Sequence, residues 1–314
     1  MKTILESILI CIFITTKIHS EITVYSRLGA GYFSELMNVV RTIKIHEHLY
    51  TKGITIDWSQ EFFPYKDHPT ENGWDLYFEP IVFHTDAKAR HLASRPHPDH
   101  AVHDQLCIDH WMAYDEHLSY RQDFNRILDS YIIIKREIID ELKRLYNEHL
   151  EGYYCIGVHV RWSAAHTSES PKGTPPIESY IAEVSDLIQN TETTRPFKIY
   201  LATDSEEVIQ AFRNHFSEEL LVYLSGSRSP HREESHLIYD NAAYWQAHPS
   251  EFHAKKPGYR GGVMVLLDCL LLAKCDLFIH SSSNVSEFVS FFSPTIKSIY
   301  LPKDSRTWPC RYGL

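Results

Sequence analysis

From Tyr154 to Val160 the chain runs Tyr-Cys-Ile-Gly-Val-His-Val, and Arg161 follows at once. An apolar run of this length, rich in β-branched residues, reads as a strand buried on both faces. Such a strand needs helices above and below it, which commits its surroundings to an α/β layering around a mostly parallel sheet. His159 and Arg161 lie one period-2 step apart and so share a face. They stand where the strand leaves the core, and a charge there is costly unless it is paired or meets a ligand. The planar fork of an arginine suits phosphate. Two readings follow: an anion site for a phosphate or diphosphate, or a structural ion pair at a sheet edge.

The pattern around this strand is regular. Strands are expected at 153–160, 197–201, 220–224, 276–279 and 298–301, alternating with helices at 176–189, 206–216, 261–274 and 284–292. That alternation predicts a parallel sheet with helices on both faces. Upstream, a strand at 21–25, a turn at Gly29-Ala30-Gly31, a helix to about 49 and a strand at 54–57 suggest a second, smaller α/β unit. Residues 60–115, rich in Pro, His and aromatics, show no simple period. The spacing of Ile134, Ile138, Leu142 and Leu145 predicts one long helix over about 115–149. The polar stretch 225–259 is too long for a plain connector and is a candidate lid or acceptor loop.

A chain of 314 residues fits about two domains. With a formal net charge of -10 and no long basic run, general binding to nucleic acid or to an anionic membrane is disfavoured. Residues 1–20, with Lys2, an apolar stretch over 8–14 and Ile18-His19-Ser20, read as a secretory signal peptide. The stretch is short for a transmembrane span. The expected location is therefore the secretory lumen or outside the cell, with an uncleaved anchor as the alternative. Of six cysteines, Cys11 falls in that leader. Cys155, Cys269 and Cys275 sit in apolar runs as small core residues, and a bridge between Cys107 and Cys310 is left open. The twenty histidines show no metal-ligand spacing.

Three strand ends carry polar residues: His159 with Arg161, Ala202-Thr203-Asp204-Ser205, and His280-Ser281-Ser282-Ser283-Asn284. On a parallel sheet these ends share one rim, where ligands of such folds bind. The third is the clearest anion seat, since hydroxyls and free N–H groups meet at a helix N-terminus. Taken singly, Ser205, Ser283 and Asp204 read as helix caps. Gly29 and Gly31 flank one turn in a chain with only 12 glycines, which permits close backbone approach to a ligand or makes a plain tight turn. Asp268 lies inside the apolar run 263–273 and needs a partner, either a guanine edge or an internal arginine.

With these blocks on view, the chain resembles fucosyltransferases of the α-1,6 and nodulation (chitooligosaccharide) type, within a superfamily that includes the protein O-fucosyltransferases. The resemblance rests on Gly29-Ala-Gly-Tyr32 with Leu36 and Asn38, Ile156–Arg161, Pro176-Ile-Glu-Ser-Tyr180, Ile199–Asp204, and Gly262–Glu287. It covers 151–314 well and 22–58 plausibly, and leaves 60–150 unmatched. It implies two Rossmann-like domains facing a cleft, the GT-B arrangement, with 21–150 on the acceptor side and 151–314 binding a GDP-sugar. It implies inverting transfer of fucose from GDP-fucose to a glycan or glycoprotein, without a metal or other cofactor. Arg161 would hold the β-phosphate of the leaving GDP. His159 and Asp268 would contact guanine or its surroundings, and Asp204 would lie near the donor. Ser281, Ser282 and Ser283 would line the phosphates, with Gly29 and Gly31 across the cleft. Where α-1,6 enzymes carry a second Arg and an Asp after the first Arg, this chain has Trp162 and Ser163-Ala-Ala165. Glu169 is then the candidate catalytic base, and Glu35 a weaker one. Transfer from another GDP-sugar, or a catalytically silent sugar-nucleotide or glycan-binding role, are the competing readings. The sequon Asn284-Val-Ser286 falls inside the expected phosphate turn, where a glycan would obstruct it.

Overall fold

The structure is a computed structural model and describes residues 22–27, 31–47, 54–82, 114–162, 174–226, 228, 242–301 and 310–312. In the first half, β1 (Ile22–Tyr25), α1 (Tyr32–His46), β2 (Ile54–Asp57) and the single turn α2 (Trp74–Tyr77) precede α3 (Tyr114–Tyr131) and α4 (Arg136–His149). The second half runs β3 (Tyr154–Val160), α5 (Ile177–Asn190), β4 (Phe197–Thr203), α6 (Glu206–His215), β5 (Leu221–Val222), α7 (Ala242–Ala247) and α8 (Pro249–Lys255). It ends with α9 (Gly258–Leu272), β6 (Leu277–His280), α10 (Asn284–Phe292), β7 (Lys297–Tyr300) and β8 (Cys310–Tyr312).

The expected buried strand is β3, and it lies inside a six-stranded sheet of order β5-β4-β3-β6-β7-β8. Every pair is parallel except β7 with β8, an antiparallel edge that the strand pattern did not announce. The chain builds outward from β3 to β5, then crosses back to lay β6 and β7 on the other side. The order therefore reverses between β3 and β6, where His159 and His280 are register partners. Outside such a switch point the loops diverge and leave a crevice.

The pleat separates two cores. Ile156, Val158 and Val160 face one side with Ile199 and Leu201, under Tyr180 and Val184 of α5 and Val208 and Phe212 of α6. Cys155, Tyr200, Ala202 and Phe278 face the other, against Leu266, Leu270 and Leu271 of α9 and Phe288 and Phe291 of α10. Helices thus cover both faces, as the apolar strands require. Gly157 is small because α9 crosses close above it: a Cβ there would meet Cys275 Sγ and Leu272 Cδ2 at 3.0 Å. Cys155, Cys269 and Cys275 are free and buried, in line with their reading as core residues.

The second core does not stop at the sheet. It includes Tyr32, Leu36 and Val40 of α1, Trp58, Tyr77, and Phe124 of α3. Phe124 stacks on Phe291 at 4.5 Å, and Phe33 meets Phe288 at 4.9 Å. The parallel pair β1–β2 stands beside α1, in the register Ile22↔Ile54 to Tyr25↔Asp57. The segment from 58 to 73 is tied down by Lys66, a wholly buried ammonium that donates to the carbonyls of Ser59, Pro69 and Glu71 at 2.6, 2.7 and 3.0 Å. Burial pulls its pKa down to about 8. This segment also clasps the start of α9. Asp67 accepts from the Tyr259 main-chain N–H at 3.0 Å, and the Tyr77 hydroxyl points at the carbonyls of Tyr65 and Tyr259.

Three expectations change. The single helix over 115–149 is two helices, α3 and α4, broken at three consecutive isoleucines, 132–134. There the backbone pairs with the first half instead: Glu79 N–H to the Ile133 carbonyl at 2.8 Å, and Lys135 N–H to the Tyr77 carbonyl at 2.9 Å. The strand expected over 220–224 pairs only at Leu221 and Val222. The stretch 225–259 contains α7 and α8 and the first residues of α9. Residues 1–20 and Cys107 lie outside the described residues, so the leader and the open Cys107–Cys310 bridge do too. Among the described residues no helix is long and apolar enough to cross a membrane.

Candidate active site

Arg161 leaves β3 on the rim and donates through Nη1 to Asp204 Oδ2 at 2.8 Å. The other oxygen of Asp204 accepts from the Trp162 main-chain N–H at 3.0 Å. One carboxylate at the end of β4 therefore fixes both the guanidinium and the backbone behind it. It is not the cap of α6; Ser205 holds the N-cap position, though its side chain makes no cap bond. The Trp162 indole is held in turn by Glu207 at 2.8 Å. Both members of the Arg161–Asp204 pair keep a quarter or more of their side-chain surface accessible, 30% and 25%, so the guanidinium can still meet a ligand.

Across the switch point, Ser283 caps α10. Its hydroxyl accepts the Ser286 N–H at 3.0 Å, satisfying one free donor of the first turn. The same hydroxyl lies 2.9 Å from Ser286 Oγ, and both face Nδ1 of the buried His159 at 3.3 and 3.2 Å. The ring is thereby pinned against α10 and braces the turn Ser281–Ser283. Ser282 lies half-buried in that turn. Ser281 turns away from it: it is buried, and its hydroxyl sits beside Tyr180 of α5, opposing the rise that burial causes in the tyrosine's pKa. Asn284 is exposed, but the sequon's Ser286 hydroxyl is buried in this network.

The third cluster lies on the same face of the sheet. Asp268 of α9 accepts from the Tyr200 hydroxyl at 2.6 Å. Burial pushes its carboxyl up to about 7, and the Tyr200 hydrogen bond and the charge of Arg228 pull the other way. Arg228, beyond the end of β5, donates through Nε to the Thr203 carbonyl at 3.2 Å and through Nη2 to the Leu224 carbonyl. Its guanidinium lies 5.3 Å from the Tyr223 ring. The internal partner that meets Asp268 is a tyrosine, Tyr200, rather than the arginine expected from the sequence.

Of the residues singled out in the sequence, Arg161 meets Asp204 and His159 meets Ser283 at the strand ends, while Asp268 meets Tyr200 of β4. Gly29 and Glu169 lie outside the described residues. Gly31 precedes α1 at φ -73°, and a Cβ there would meet nothing within 4 Å, so the position is open rather than crowded. Glu35 is fully buried in α1. It accepts from the Arg27 main-chain N–H at 3.0 Å and meets its guanidinium at 3.4 Å, while burial raises its pKa. That position suits a structural carboxylate better than a base for an incoming hydroxyl. Sequence patterns did not point to Ser286, Tyr200 or Arg228. A hydroxyl three residues after an N-cap was a signal for Ser286; the other two carried none. Among the described residues no cluster of three or more His, Cys, Asp or Glu side chains is placed to hold a metal ion.

A mostly parallel sheet covered on both faces, with Arg161 and a capped helix at the ends of its strands, defines a doubly wound α/β protein, a class whose ligands bind at the carboxyl rim. The chain belongs to the Nodulation protein Z (NodZ) family, which it matches over residues 112–312. That match includes α3 and α4, which the sequence motifs left unassigned. The nodulation protein Z of Azorhizobium caulinodans is 26% identical over 162 residues, 50% of this chain and 44% of that protein. The chain thus aligns with less than half the length of this curated relative. The crystal structure of NodZ alpha-1,6-fucosyltransferase co-crystallized with GDP covers 94% of this chain and 99% of its own, at 18% identity and a TM-score of 0.56. A second crystal of NodZ alpha-1,6-fucosyltransferase, soaked with GDP-fucose, gives a TM-score of 0.56 at 16% identity over 93% of this chain and 99% of its own. At these identities the likeness is one of fold.

Proposed function

We propose that this chain is an inverting glycosyltransferase that moves fucose from GDP-fucose to a glycan or glycoprotein acceptor. The observation that carries the reading is the rim at the switch point. There Arg161, oriented by Asp204 at 2.8 Å, follows the strand whose His159 meets the capped N-terminus of α10. In the reaction the bond from the sugar's anomeric carbon to the β-phosphate oxygen breaks, and a bond to the acceptor hydroxyl oxygen forms on the opposite face. The acceptor proton passes to a base, for which Glu169 is our candidate. Negative charge grows on the departing diphosphate. A guanidinium and helix N–H donors already in place stabilise it without reorganisation, the most effective form of electrostatic catalysis. Family membership, and the solved relatives crystallised with GDP and soaked with GDP-fucose, support the same donor.

In this reading the molecule is a GT-B enzyme of two Rossmann-like domains, with 151–314 holding the donor and 21–150 facing the acceptor. Ser282 and Ser283 line the phosphates, Gly29 and Gly31 approach them from across the cleft, and Asp268 reads guanine. No metal or other cofactor takes part, and residues 1–20 direct the chain to the secretory pathway. The test is turnover by the purified chain with GDP-fucose, GDP-mannose and UDP-galactose against a panel of glycan and glycopeptide acceptors, with EDTA present. Fucose transfer or GDP-fucose hydrolysis alone supports the proposal. Preference for another GDP-sugar moves the enzyme to that donor, and tight GDP binding without any turnover makes it a silent binding protein.

A further inference from the structure

We propose that His159 is a positioning residue for the donor's diphosphate: its Nδ1 edge locks the first turn of α10 to β3, so that the helix end is already in place when the phosphates arrive. This rests on the reading above, in which the rim takes a GDP-sugar with its phosphates at that helix end. It ties His159 to the phosphates, through two serines, and not to guanine.

His159 is buried, with 5% of its surface exposed, so its ring offers a base little to stack on or bond to. Its Nδ1 stands 3.3 Å from Ser283 Oγ and 3.2 Å from Ser286 Oγ, and the two hydroxyls lie 2.9 Å apart. These groups close a triangle with one corner on β3 and two at the start of α10. Ser283 Oγ also accepts the Ser286 main-chain N–H at 3.0 Å, which fastens the triangle to the helix backbone at its N-cap. A cap alone satisfies a helix end without fixing where it points. The bridge to β3 fixes that, and β3 leads directly into Arg161, two residues on. The strand thus sets both anion-binding groups in one frame, the guanidinium directly and the helix end through His159. Farther along α10, Phe288 meets Phe33 at 4.9 Å and Phe291 meets Phe124 at 4.5 Å. Those apolar contacts hold the helix down but carry no direction, whereas the triangle orients its first turn. The first turn of a helix leaves N–H groups that its own backbone does not use. They stabilise a diphosphate best when they need no reorganisation to meet it.

The test is calorimetric affinity of the full chain for GDP and for guanosine, two ligands that differ only in the diphosphate. His159→Gln, whose amide reaches past the Nδ1 position, should bind GDP about ten-fold more weakly and guanosine as the wild type does. The GDP-to-guanosine ratio therefore falls. His159→Asn, whose amide lies at the Nδ1 position, should restore most of that ratio. Ser286→Ala should lower the ratio in the same direction. Because both residues act through one triangle, His159→Gln with Ser286→Ala should lose less than the product of the two single losses. A histidine that reads guanine would weaken guanosine as much as GDP, and a merely structural one would leave the ratio unmoved; either result overturns the proposal, as do independent effects in the double variant. Should His159→Gln not fold, as judged by its thermal melt, Ser286→Ala alone is read against the same ratio. If the wild type binds GDP no more tightly than guanosine, it is the phosphate seat at the rim that fails, and the role of His159 falls with it.

Discussion

Arg161 and Asp204 work as a pair in which the arginine supplies charge and the aspartate aims it. Removal of Arg161 should cost transition-state stabilisation on the order of 2–4 kcal/mol, a loss of roughly thirty- to several-hundred-fold in turnover. Asp204→Asn keeps an acceptor for the Trp162 N–H but not the ion pair. The pair is partly exposed and screened, so that variant should lose only about ten-fold in kcat/KM. Steady-state kinetics of both variants with GDP-fucose check the order; a larger loss for Asp204→Asn than for Arg161→Ala would contradict it. Asp268 makes a second prediction, about stability. Its carboxyl is raised to about 7 by burial, so the folded chain holds a proton that the unfolded chain releases. The stability from that proton is fully present below the ordinary carboxyl range and is lost as pH rises through about 7. Wild type should therefore lose Tm between pH 5 and pH 8, and Asp268→Asn should lose less by on the order of a few °C. Glu35, also raised by burial, adds a loss in the same direction that the Asp268 variant leaves in place. Equal losses in melts of the two proteins would show that Asp268 does not hold that proton.

At the scale of elements, α9 is where the two halves meet, and its Gly262 explains how. A Cβ at Gly262 would stand 2.1 Å from the Tyr77 hydroxyl and 2.5 Å from its Cζ. Tyr77 cannot retreat without giving up the carbonyls of Tyr65 and Tyr259. Gly262→Ala should cost about 1–3 kcal/mol as an overpacking change, even though alanine is the better helix former. Chemical denaturation measures it, and a stabilised variant would refute the close approach. α10 gives a gentler case. Ser283→Ala removes a helix cap worth about 1 kcal/mol and one of the two hydroxyls that face His159 Nδ1, so GDP affinity should fall along with stability. These elements were largely legible in advance: periodicity located β3, β4, β6 and β7 with α5, α6, α9 and α10, but not α7 and α8 in the polar stretch. The break between α3 and α4 was not. Helical spacing runs on through 132–134, but three β-branched residues in a row are also content to extend, and a partner backbone at 77–79 was waiting for them.

For the whole molecule, the shared core decides the behaviour. One apolar cluster holds Tyr32 and Leu36 of α1 together with Leu266 of α9 and Phe288 of α10. A chain cut to 151–314 would keep the six-stranded sheet but expose the faces of α9 and α10 that α1, α3 and α4 cover. That fragment should bind a hydrophobic dye and unfold without a sharp transition, whereas the full chain unfolds in one. Cooperative melting of the isolated fragment would instead show that the second half stands alone.

What the sequence determined by itself is what neighbours along the chain decide. An apolar β-branched run must be a buried strand. Alternating runs must layer as α/β, and parallel strands must bring Arg161, Asp204 and Ser283 to one rim. What only the tertiary structure decided is which of those groups hold one another. Asp204 meets Arg161 from 43 residues away, Tyr200 meets Asp268 from 68, and Ser286 meets His159 from 127. Local patterns report burial and period, and these are set by each residue's own chemistry. A hydrogen bond between strand ends depends on strand order and register, which no single segment encodes. Arg228 is the clearest instance: it stands in a polar stretch of sequence, and it meets the Thr203 and Leu224 carbonyls only when β5 is laid beside β4.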